Sequence, residues 1–558
     1  MHTVIRWLDV LFGKGDDDYP FWLLTVRVNV LLFVLCAAAV IVWSLSPARL
    51  RKLREARAEI CAVLALTAVA GLLRFLVEHN LTALGGIGYS RILLGYKGHF
   101  GTAQLYSLMY ARTRRDLEHA IFLNRIASTL TVPLIYALCR RLAPGVRAFA
   151  PIAAALLALQ PLHVLFTATD GVEISSSLLA VASYLLLARS VGDEDGPVWT
   201  RTVSAAGAAT GLALLTQVRY ENALFLVPPL IYLFVRRRAL SRRWFGAGAI
   251  FFVLFLSVYA VEAPSSGLSY QTSVPLADGL RAAAHEMFEN PIFGIGPLLF
   301  GTAAAVVVRR SSLRWLAPLP LIALVPLIWL AITLEHHDYS DYSVGFVPLA
   351  RIYVNQVLLP TLVAGYGLAL LWQSPRWGGR LVAAGCLLWA GALPVLFWPN
   401  LRERYLEAAE HDFFRASLAA LPPGVDRLVV PDDEVLSRES HSTTELMTKY
   451  RMIADAAGAR GTDVVGMTRF LEHPGEVDCS RGNCLFFRGV PCMGISYYWF
   501  ATAECAQVMA TPVGLPVREE EVVAGSFLDC SIYRGEARRR VCDPARKSQR
   551  LGLYRINK

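Results

Sequence analysis

Four clusters of acidic, histidine and tyrosine side chains lie in short polar stretches of an otherwise strongly apolar chain. Carboxylates can take up or release a proton during catalysis, and His and Tyr can assist or bind a polar substrate. Four such clusters on one face of a membrane would form a polar cleft, whereas polar helix ends with no catalytic role are the structural alternative. The clusters are Glu78 with His79, Asp170 with Glu173, Arg219 with Tyr220 and Glu221, and Glu335 with His336, His337, Asp338 and Asp341.

The fourth cluster contains the residue types that bind metals. Adjacent histidines such as His336 and His337 cannot both point into one site from a helix or a strand, because their side chains diverge. No metal site is therefore assigned, and the sequence leaves open whether a divalent metal is used.

The elements that must position these clusters are apolar segments long enough to cross a membrane. Hydrophobic residues make up 55% of the 558 residues, charged residues only 18%, and the mean hydropathy is +0.44. A spanning helix needs roughly 20 mostly apolar residues. The sequence thus predicts a polytopic α-helical membrane protein with about twelve transmembrane helices in residues 21–400. The predicted spans are 21–45, 59–77, 120–138, 148–167, 173–189, 203–218, 222–235, 244–262, 291–308, 315–334, 352–373 and 381–398.

The loops between these spans alternate in charge, which predicts the orientation of the chain. One set of alternate loops holds 20 Lys and Arg residues, and the other holds 10 over a much longer stretch. Because basic loops stay in the cytoplasm, the second set and both termini are predicted to lie outside. All four clusters fall in that outer set. The same asymmetry accounts for the net charge of +10, so no nucleic-acid partner is predicted.

Residues 401–558 have ordinary polar composition and are predicted to form an α/β domain. Strands are expected at 427–430, 463–467, 485–490 and 521–534, and helices at 443–457 and 495–509. The orientation of the spans predicts that this domain is periplasmic, or otherwise extracytoplasmic. Its six cysteines favour disulfides over a zinc site in that compartment, with the connectivity open. At the other terminus, residues 1–20 are predicted to form an interfacial segment.

Three stretches of the chain resemble the GT-C superfamily of membrane glycosyltransferases. They are FLNRIASTLTVPLIYALCRRL, AAALLALQPLHVLFTATDGVEISSSLLAVASYLLLAR and GLALLTQVRYENALFLVPPLIYLFVRRR. The matching features are Arg125 at the opening of a span, Pro161 and His163 near the outer end of another, and an acid just after it. The resemblance covers roughly residues 60–240. Within this superfamily, the chain looks most like the branch that contains the protein O-mannosyltransferases and the lipid A aminoarabinose transferase.

This resemblance implies a GT-C-like fold and an enzyme that transfers a hexose or pentose. The implied donor is a polyprenyl-phosphate-linked sugar, and the acceptor is a lipid, a glycan or a protein at the outer face of the cytoplasmic (inner) membrane. A carboxylate would accept the proton of the acceptor, and cations would hold the phosphate that leaves. The implied catalytic residues are Glu78, Asp170 and Glu173; the phosphate-binding residues are Arg91, Lys97, Arg219 and Arg351; the substrate-binding residues are His79, Tyr220, Glu221, Glu335 and His336.

The chain departs from the family pattern in its first outer loop and in an additional first span. Members of the family carry an Asp inside that loop, but no acid occurs between His79 and Arg115. Either Glu78 serves as the base, or catalysis depends on Asp170, or the chain is a catalytically inactive relative. Another polymerase or ligase of lipid-linked glycans and a transporter or flippase are the remaining alternatives.

Overall fold

In the part of the chain that the computed structural model describes, the protein is mostly helical, with one small sheet near the carboxyl terminus. The structure describes residues 20–44, 57–77, 117–168, 173–192, 197–218, 220–236, 243–259, 294–307 and 357–396. Beyond residue 400 it describes mainly 425–430, 461–467, 484–488, 518–526 and 550–557.

The helices are numbered in chain order. They are α1 (Pro20–Ser44), α2 (Arg57–Leu76), α3 (Leu117–Leu142), α4 (Phe149–Ala158), α5 (Pro161–Leu165), α6 (Glu173–Gly192), α7 (Val198–Val218), α8 (Val227–Val235), α9 (Arg243–Tyr259), α10 (Ile295–Val307), α11 (Leu358–Trp372) and α12 (Trp377–Leu396). Two 3₁₀ helices, Phe166–Ala168 and Tyr220–Leu226, precede α6 and α8. Four of the described helices are long and apolar enough to cross a membrane alone, and the pair α4 and α5 counts as a fifth.

Eleven of the predicted spans overlap described helices, ten of them without a sharp break, and the span predicted at 315–334 lies outside the described residues. The span predicted at 148–167 is wrong as a single helix. It consists of α4 and α5, which meet at an angle of 56°. Pro161 is the cause, because proline has no backbone N–H and its ring clashes with the preceding turn.

Contacts between helix ends define two ends of the helical bundle. Arg140 of α3 forms an ion pair of 2.7 Å with Glu59 of α2, while at the opposite ends of the same helices Arg125 donates to the Val77 carbonyl. The two helices are therefore antiparallel. We call the end that contains Arg140 the basic end, because the short described connection after α3 and the last turn of α6 add further arginines there.

The bundle interior is held by close helix packing and by a few buried polar pairs. A Cβ atom built at Gly367 of α11 would collide with the backbone of Gly301 in α10, so the two helices can approach this closely only with glycine there. The amides of Asn29 in α1 and Gln217 in α7 are in contact at 3.1 Å, and Gln217 also donates to the Leu254 carbonyl of α9. These contacts join three helices that are far apart in sequence.

The tail contains a five-stranded sheet. Its strands are β1 (Arg427–Val430), β2 (Asp463–Gly466), β3 (Cys484–Arg488), β4 (Arg518–Ser526) and β5 (Arg550–Asn557). The spatial order is β2-β1-β3-β5-β4, with β1 parallel to β2 and β3, and β5 antiparallel to β3 and β4. The four predicted strands correspond to β1 to β4, and β5 was not predicted. The helices predicted at 443–457 and 495–509 fall almost entirely outside the described residues, so the α/β class of the tail and its disulfides stay predictions.

Candidate active site

Three polar side chains meet inside the bundle at the end opposite the basic end. Arg74 of α2, Ser128 of α3 and His163 of α5 each have no exposed surface. We call these three residues the polar centre. A buried ionisable group in an apolar helical bundle is costly, so such a group needs either dense hydrogen bonding or a function.

The guanidinium group of Arg74 has five N–H donors, and the structure supplies five acceptors. The Nε atom donates to Ser128 Oγ, and one terminal nitrogen, Nη1, donates to the carbonyls of Ala70 and Ala158 at 3.0 and 3.1 Å. The other terminal nitrogen, Nη2, donates to the Leu157 carbonyl at 3.3 Å and to His163 Nδ1 at 3.1 Å. Every acceptor is electrically neutral, so Arg74 is held by hydrogen bonds rather than by an ion pair.

The break between α4 and α5 explains why Arg74 is needed. In an unbroken helix, the Leu157 carbonyl would accept from the N–H of residue 161, but Pro161 has none. The carbonyls of Leu157 and Ala158 belong to the last turn of α4, and the Leu157 carbonyl accepts only a long backbone hydrogen bond of 3.4 Å from the Gln160 N–H. Arg74 donates to both of them from a neighbouring helix. The arginine therefore stabilises the bend.

The contacts of His163 fix its tautomer. Arginine can only donate hydrogen bonds, so Nδ1 of His163 must accept from Arg74 and the ring proton must lie on Nε2. Ser128 Oγ lies 3.0 Å from the same Nδ1 atom. The Nε2 atom is buried, and no described group accepts a hydrogen bond from it. His163 thus presents one fixed N–H donor at this end of the bundle.

Arg125 holds the end of α2 where the first outer loop begins. One of its terminal nitrogens donates to the Val77 carbonyl at 2.6 Å, and its guanidinium carbon lies 5.6 Å from the centre of the Phe75 ring. Val77 immediately precedes Glu78 in the chain. The backbone that leads into the predicted catalytic loop is therefore anchored from α3.

The second and third clusters are joined through the start of α6. Glu173 is the first residue of this helix and has no exposed surface. A carboxylate is stabilised there because the amino end of a helix carries a partial positive charge. The Asn222 amide donates to Ser176 Oγ at 3.0 Å, and the Tyr184 hydroxyl donates to the Phe225 carbonyl at 2.7 Å. The 3₁₀ helix that begins with Tyr220 and Glu221 is thereby fixed against α6.

The structure describes only part of the predicted site. Glu173 is buried rather than exposed at the membrane rim, and Tyr220 and Glu221 open a 3₁₀ helix. The remaining predicted site residues lie outside the described residues: Glu78, His79, Arg91, Lys97, Asp170, Arg219, Glu335, His336 and Arg351. Within the described part of the chain, no group of three or more His, Cys, Asp or Glu side chains could hold a metal ion.

Sequence reasoning did not assign the polar centre to the site. The signal was present, since Arg74 is a charged residue within an apolar helix, and such a residue is a functional candidate by default. Its partners Ser128 and His163 are 54 and 89 residues away in sequence, and its carbonyl acceptors are ordinary apolar residues. No spacing pattern reveals an arrangement of this kind.

Comparison with known proteins gives a family for the middle of the chain. Residues 102–261 match the family model described as dolichyl-phosphate-mannose-protein mannosyltransferase. The match includes Ser128, His163 and Glu173. The resemblance to the GT-C superfamily is confirmed. This family match supports the glycosyltransferase class in general, and the long apolar helices indicate a multi-pass membrane protein.

Solved GT-C structures also align with the chain. ArnT from Cupriavidus metallidurans in the apo state is 11% identical, with a TM-score of 0.48 over 90% of this chain and 98% of that chain. The same protein bound to undecaprenyl phosphate is 11% identical, with a TM-score of 0.46 over 89% and 97%. The arabinofuranosyltransferase AftD from Mycobacteria is 18% identical, with a TM-score of 0.38 over 66% of this chain and 29% of that chain. A comparison with curated protein sequences gave no significant match.

Proposed function

We propose that this protein transfers a sugar from a polyprenyl-phosphate-linked donor to a lipid, glycan or protein acceptor at the outer face of the cytoplasmic membrane. The observation that carries the proposal is the family match over residues 102–261. The description of that family names a lipid-phosphate sugar as the donor. The matched segment contains the bent span and the buried start of α6, where polar groups collect at one end of the bundle.

The proposed acid–base residues are Glu78, Asp170 and Glu173. Glycosyl transfer needs a carboxylate that accepts the proton of the attacking hydroxyl or amine. Of the three, Glu173 is the one whose placement is described. Its burial at the amino end of α6 keeps a carboxylate close to the loop that carries Asp170. Glu78 follows the backbone that Arg125 anchors.

The departing lipid phosphate needs cations, for which we propose Arg91, Lys97, Arg219 and Arg351. Arg74 is excluded from this role, because all five of its N–H groups already donate within the protein. The same saturation argues against the transporter alternative, since an ion path needs ionisable groups that can exchange partners.

We assign the remaining polar residues of the clusters to substrate binding. They are His79, Tyr220, Glu221, Glu335 and His336. The contacts of Asn222 and Tyr184 with the 3₁₀ helix support this role for Tyr220 and Glu221, because they fix the backbone from which both side chains project. We further infer that residues 401–558 lie on the same side of the membrane as these clusters and contain disulfides.

Substitution of the three carboxylates tests the proposal. A deletion strain would be complemented with wild type, Glu78→Gln, Asp170→Asn or Glu173→Gln, and its envelope glycans, lipids and glycoproteins would be analysed by mass spectrometry. We expect the deletion to remove a sugar modification that wild type restores. Loss of a catalytic acid or base typically lowers the rate about 10²–10⁴-fold, so at least one variant should fail to restore it.

Glu59→Gln is the matched control. Glu59 is a carboxylate near the start of α2, whereas Glu78 follows the end of the same helix. Glu59 lies at the basic end of the bundle, where it forms an ion pair with Arg140. This variant should restore the modification fully. If all three test variants restore it as well as Glu59→Gln does, the assignment of the acids is wrong. If the deletion changes no sugar modification, the proposed function itself is wrong.

A further inference from the structure

An apolar cavity of about 460 Å³ lies between four helices at the basic end of the bundle. Its walls come from α6, α7, α8 and α9 and from Leu226, the last residue of the preceding 3₁₀ helix, and they include Leu187, Ala208, Leu212, Leu233, Trp244 and Phe251. Leu187 precedes Arg189 in the last turns of α6, Leu233 precedes Arg236 at the end of α8, and Trp244 is the second residue of α9. The cavity therefore extends along α8 and reaches the basic end of the bundle, and none of the proposed site residues lines it.

The cavity opens toward the surface that faces lipid. Leu230, Phe245 and Phe252 form part of its lining and are 63%, 83% and 61% exposed. Large apolar side chains exposed to this extent are stable in a hydrocarbon environment and unfavourable in water. A cavity of a few hundred Å³ with apolar walls is of the size and chemistry that bind a small hydrophobic ligand. An acyl chain can therefore enter from the side.

Positive charge borders the inner end of the cavity. Arg236 is exposed and follows α8 directly, and Arg243 is the first residue of α9. Arg141 and Arg236 both lie near Tyr232 of α8. The first backbone N–H groups of α9 point out of the helix and favour an anion. Basic groups beside a gap between membrane helices on the cytoplasmic side are typical of sites for anionic lipid headgroups.

Trp244 adds a hydrogen-bond donor within the cavity wall. Its indole nitrogen, Nε1, is buried and has no acceptor among the described residues. Buried indole N–H groups normally have an acceptor, and Trp at a membrane interface often finds it in lipid. An ester carbonyl or a phosphate oxygen of a lipid would supply it.

We propose that this cavity is a binding site for an anionic phospholipid of the cytoplasmic leaflet. One acyl chain fills the apolar space, and the headgroup phosphate lies beside Arg236 and the amino end of α9. The site is independent of the sugar-transfer site at the other end of the bundle.

Two glycines of α9 provide a matched test. A Cβ atom at Gly248, which lines the cavity, or at Gly246, which does not, would meet no atom within 4 Å. Gly248→Phe should fill the cavity without disturbing the helices, and Gly246→Phe should add the same ring outside it. The full-length protein would be titrated with phosphatidylglycerol and with phosphatidylethanolamine of identical chains, and bound lipid counted by native mass spectrometry.

Wild type and Gly246→Phe should bind phosphatidylglycerol in preference to phosphatidylethanolamine, and Gly248→Phe should bind it at least about tenfold more weakly. A basic residue near a membrane surface contributes about 1 kcal/mol, so Arg236→Gln should lower the affinity for phosphatidylglycerol about fivefold. Arg147→Gln, an exposed arginine after α3, should not change it. If Gly248→Phe fails to fold, Trp244→Phe removes the indole N–H together with part of the ring and should weaken binding about fivefold.

Three results would overturn the proposal. Equal affinity for the two lipids would show that the arginines do not select an anionic headgroup. Equal binding of phosphatidylglycerol by the two glycine variants would show that the lipid does not occupy this cavity. Displacement of phosphatidylglycerol by an equimolar polyprenyl phosphate would assign the cavity to a different lipid.

Discussion

The polar centre lies at one end of the helical bundle and the apolar cavity reaches the other end, and the two regions differ in how strictly their residues are specified. At the polar centre, Arg74 makes five hydrogen bonds in fixed directions, and each partner has few substitutes. The cavity is bounded by side chains that interact through dispersion and have no preferred direction. The first region should tolerate almost no substitution, and the second should accept many.

This difference shows how the bundle separates a rigid end from an adaptable one. Directional hydrogen bonds in an apolar interior fix one arrangement, because any other leaves a polar group without a partner. Apolar contacts distinguish sizes more than directions. The rigid end is also the one to which Glu173 and the bent span belong.

Arg74→Met should have the largest effect. The change keeps much of the side-chain volume but leaves the carbonyls of Leu157 and Ala158 and the Nδ1 atom of His163 without this donor. An unsatisfied buried polar group costs about 1–3 kcal/mol, so we expect the free energy of unfolding to fall by about 3–5 kcal/mol. Thermal and denaturant unfolding of the purified protein in detergent would measure it. Arg57→Met, at an exposed position of the same helix, is the control. An equal loss of stability in that variant would contradict the claim that the hydrogen bonds of Arg74 stabilise the protein.

Substitution of His163 should have an intermediate effect that depends on the replacement. His163→Leu removes the acceptor of Arg74 Nη2 and should cost about 2 kcal/mol of stability. His163→Asn places an amide oxygen where Nδ1 lies and should cost about half as much. The same unfolding measurements compare them. If His163→Asn lowers stability as much as His163→Leu does, His163 does not stabilise the protein through its hydrogen bond with Arg74.

At the cavity, Gly248→Ala should raise stability by a small amount. Alanine is favoured over glycine inside a helix by about 0.5–1 kcal/mol, and the added methyl group meets nothing. Gly367→Ala is the contrasting change, since its methyl group would collide with the Gly301 backbone and should cost about 1–3 kcal/mol. Melting temperatures of both variants test the sign of each effect. Loss of stability in Gly248→Ala would show that the cavity is as tightly specified as the packed helix contacts.

Glu59→Gln should have the smallest effect. Its ion pair with Arg140 is partly exposed, with 43% and 33% of the two side chains accessible. Partly exposed pairs contribute about 0–1 kcal/mol, and salt screens them. We expect the free energy of unfolding to fall by about 0.5 kcal/mol. The loss should be smaller at 0.5 M than at 0.05 M salt, two concentrations on either side of the roughly 0.15 M physiological value. A loss that persists at high salt would mean that the basic end is also held by directional contacts.

Most helices could be predicted from the sequence because a run of apolar residues is a local signal. The segment that forms α1 needs no partner to be recognised as a span. The bend at Pro161 was missed because average hydropathy over 148–167 is high whether or not the helix is broken. The proline was visible, but the hydrogen bonds that Arg74, in another helix, donates to the Leu157 and Ala158 carbonyls are what stabilise a sharp break inside the bundle.

The candidate site was less predictable because its geometry depends on residues far apart in the chain. The clusters at 170–173 and 219–221 could be placed on one face from loop charges alone. Their connection through Asn222 and Ser176 depends on how α6 and α7 pack. In the tail, β5 was missed because its pairing with both β3 and β4, rather than its composition, makes it a strand.

The relation between Arg74 and Pro161 has an evolutionary consequence. A relative with an N–H-bearing residue at position 161 can close the helix over Leu157, and an arginine at position 74 would then be a buried charge with too few acceptors. A relative that keeps the proline but loses the arginine would leave the Ala158 carbonyl without the Arg74 donor and the Leu157 carbonyl with only the 3.4 Å contact from the Gln160 N–H. The two positions are therefore expected to change together among homologous sequences, although they are 87 positions apart and belong to different helices.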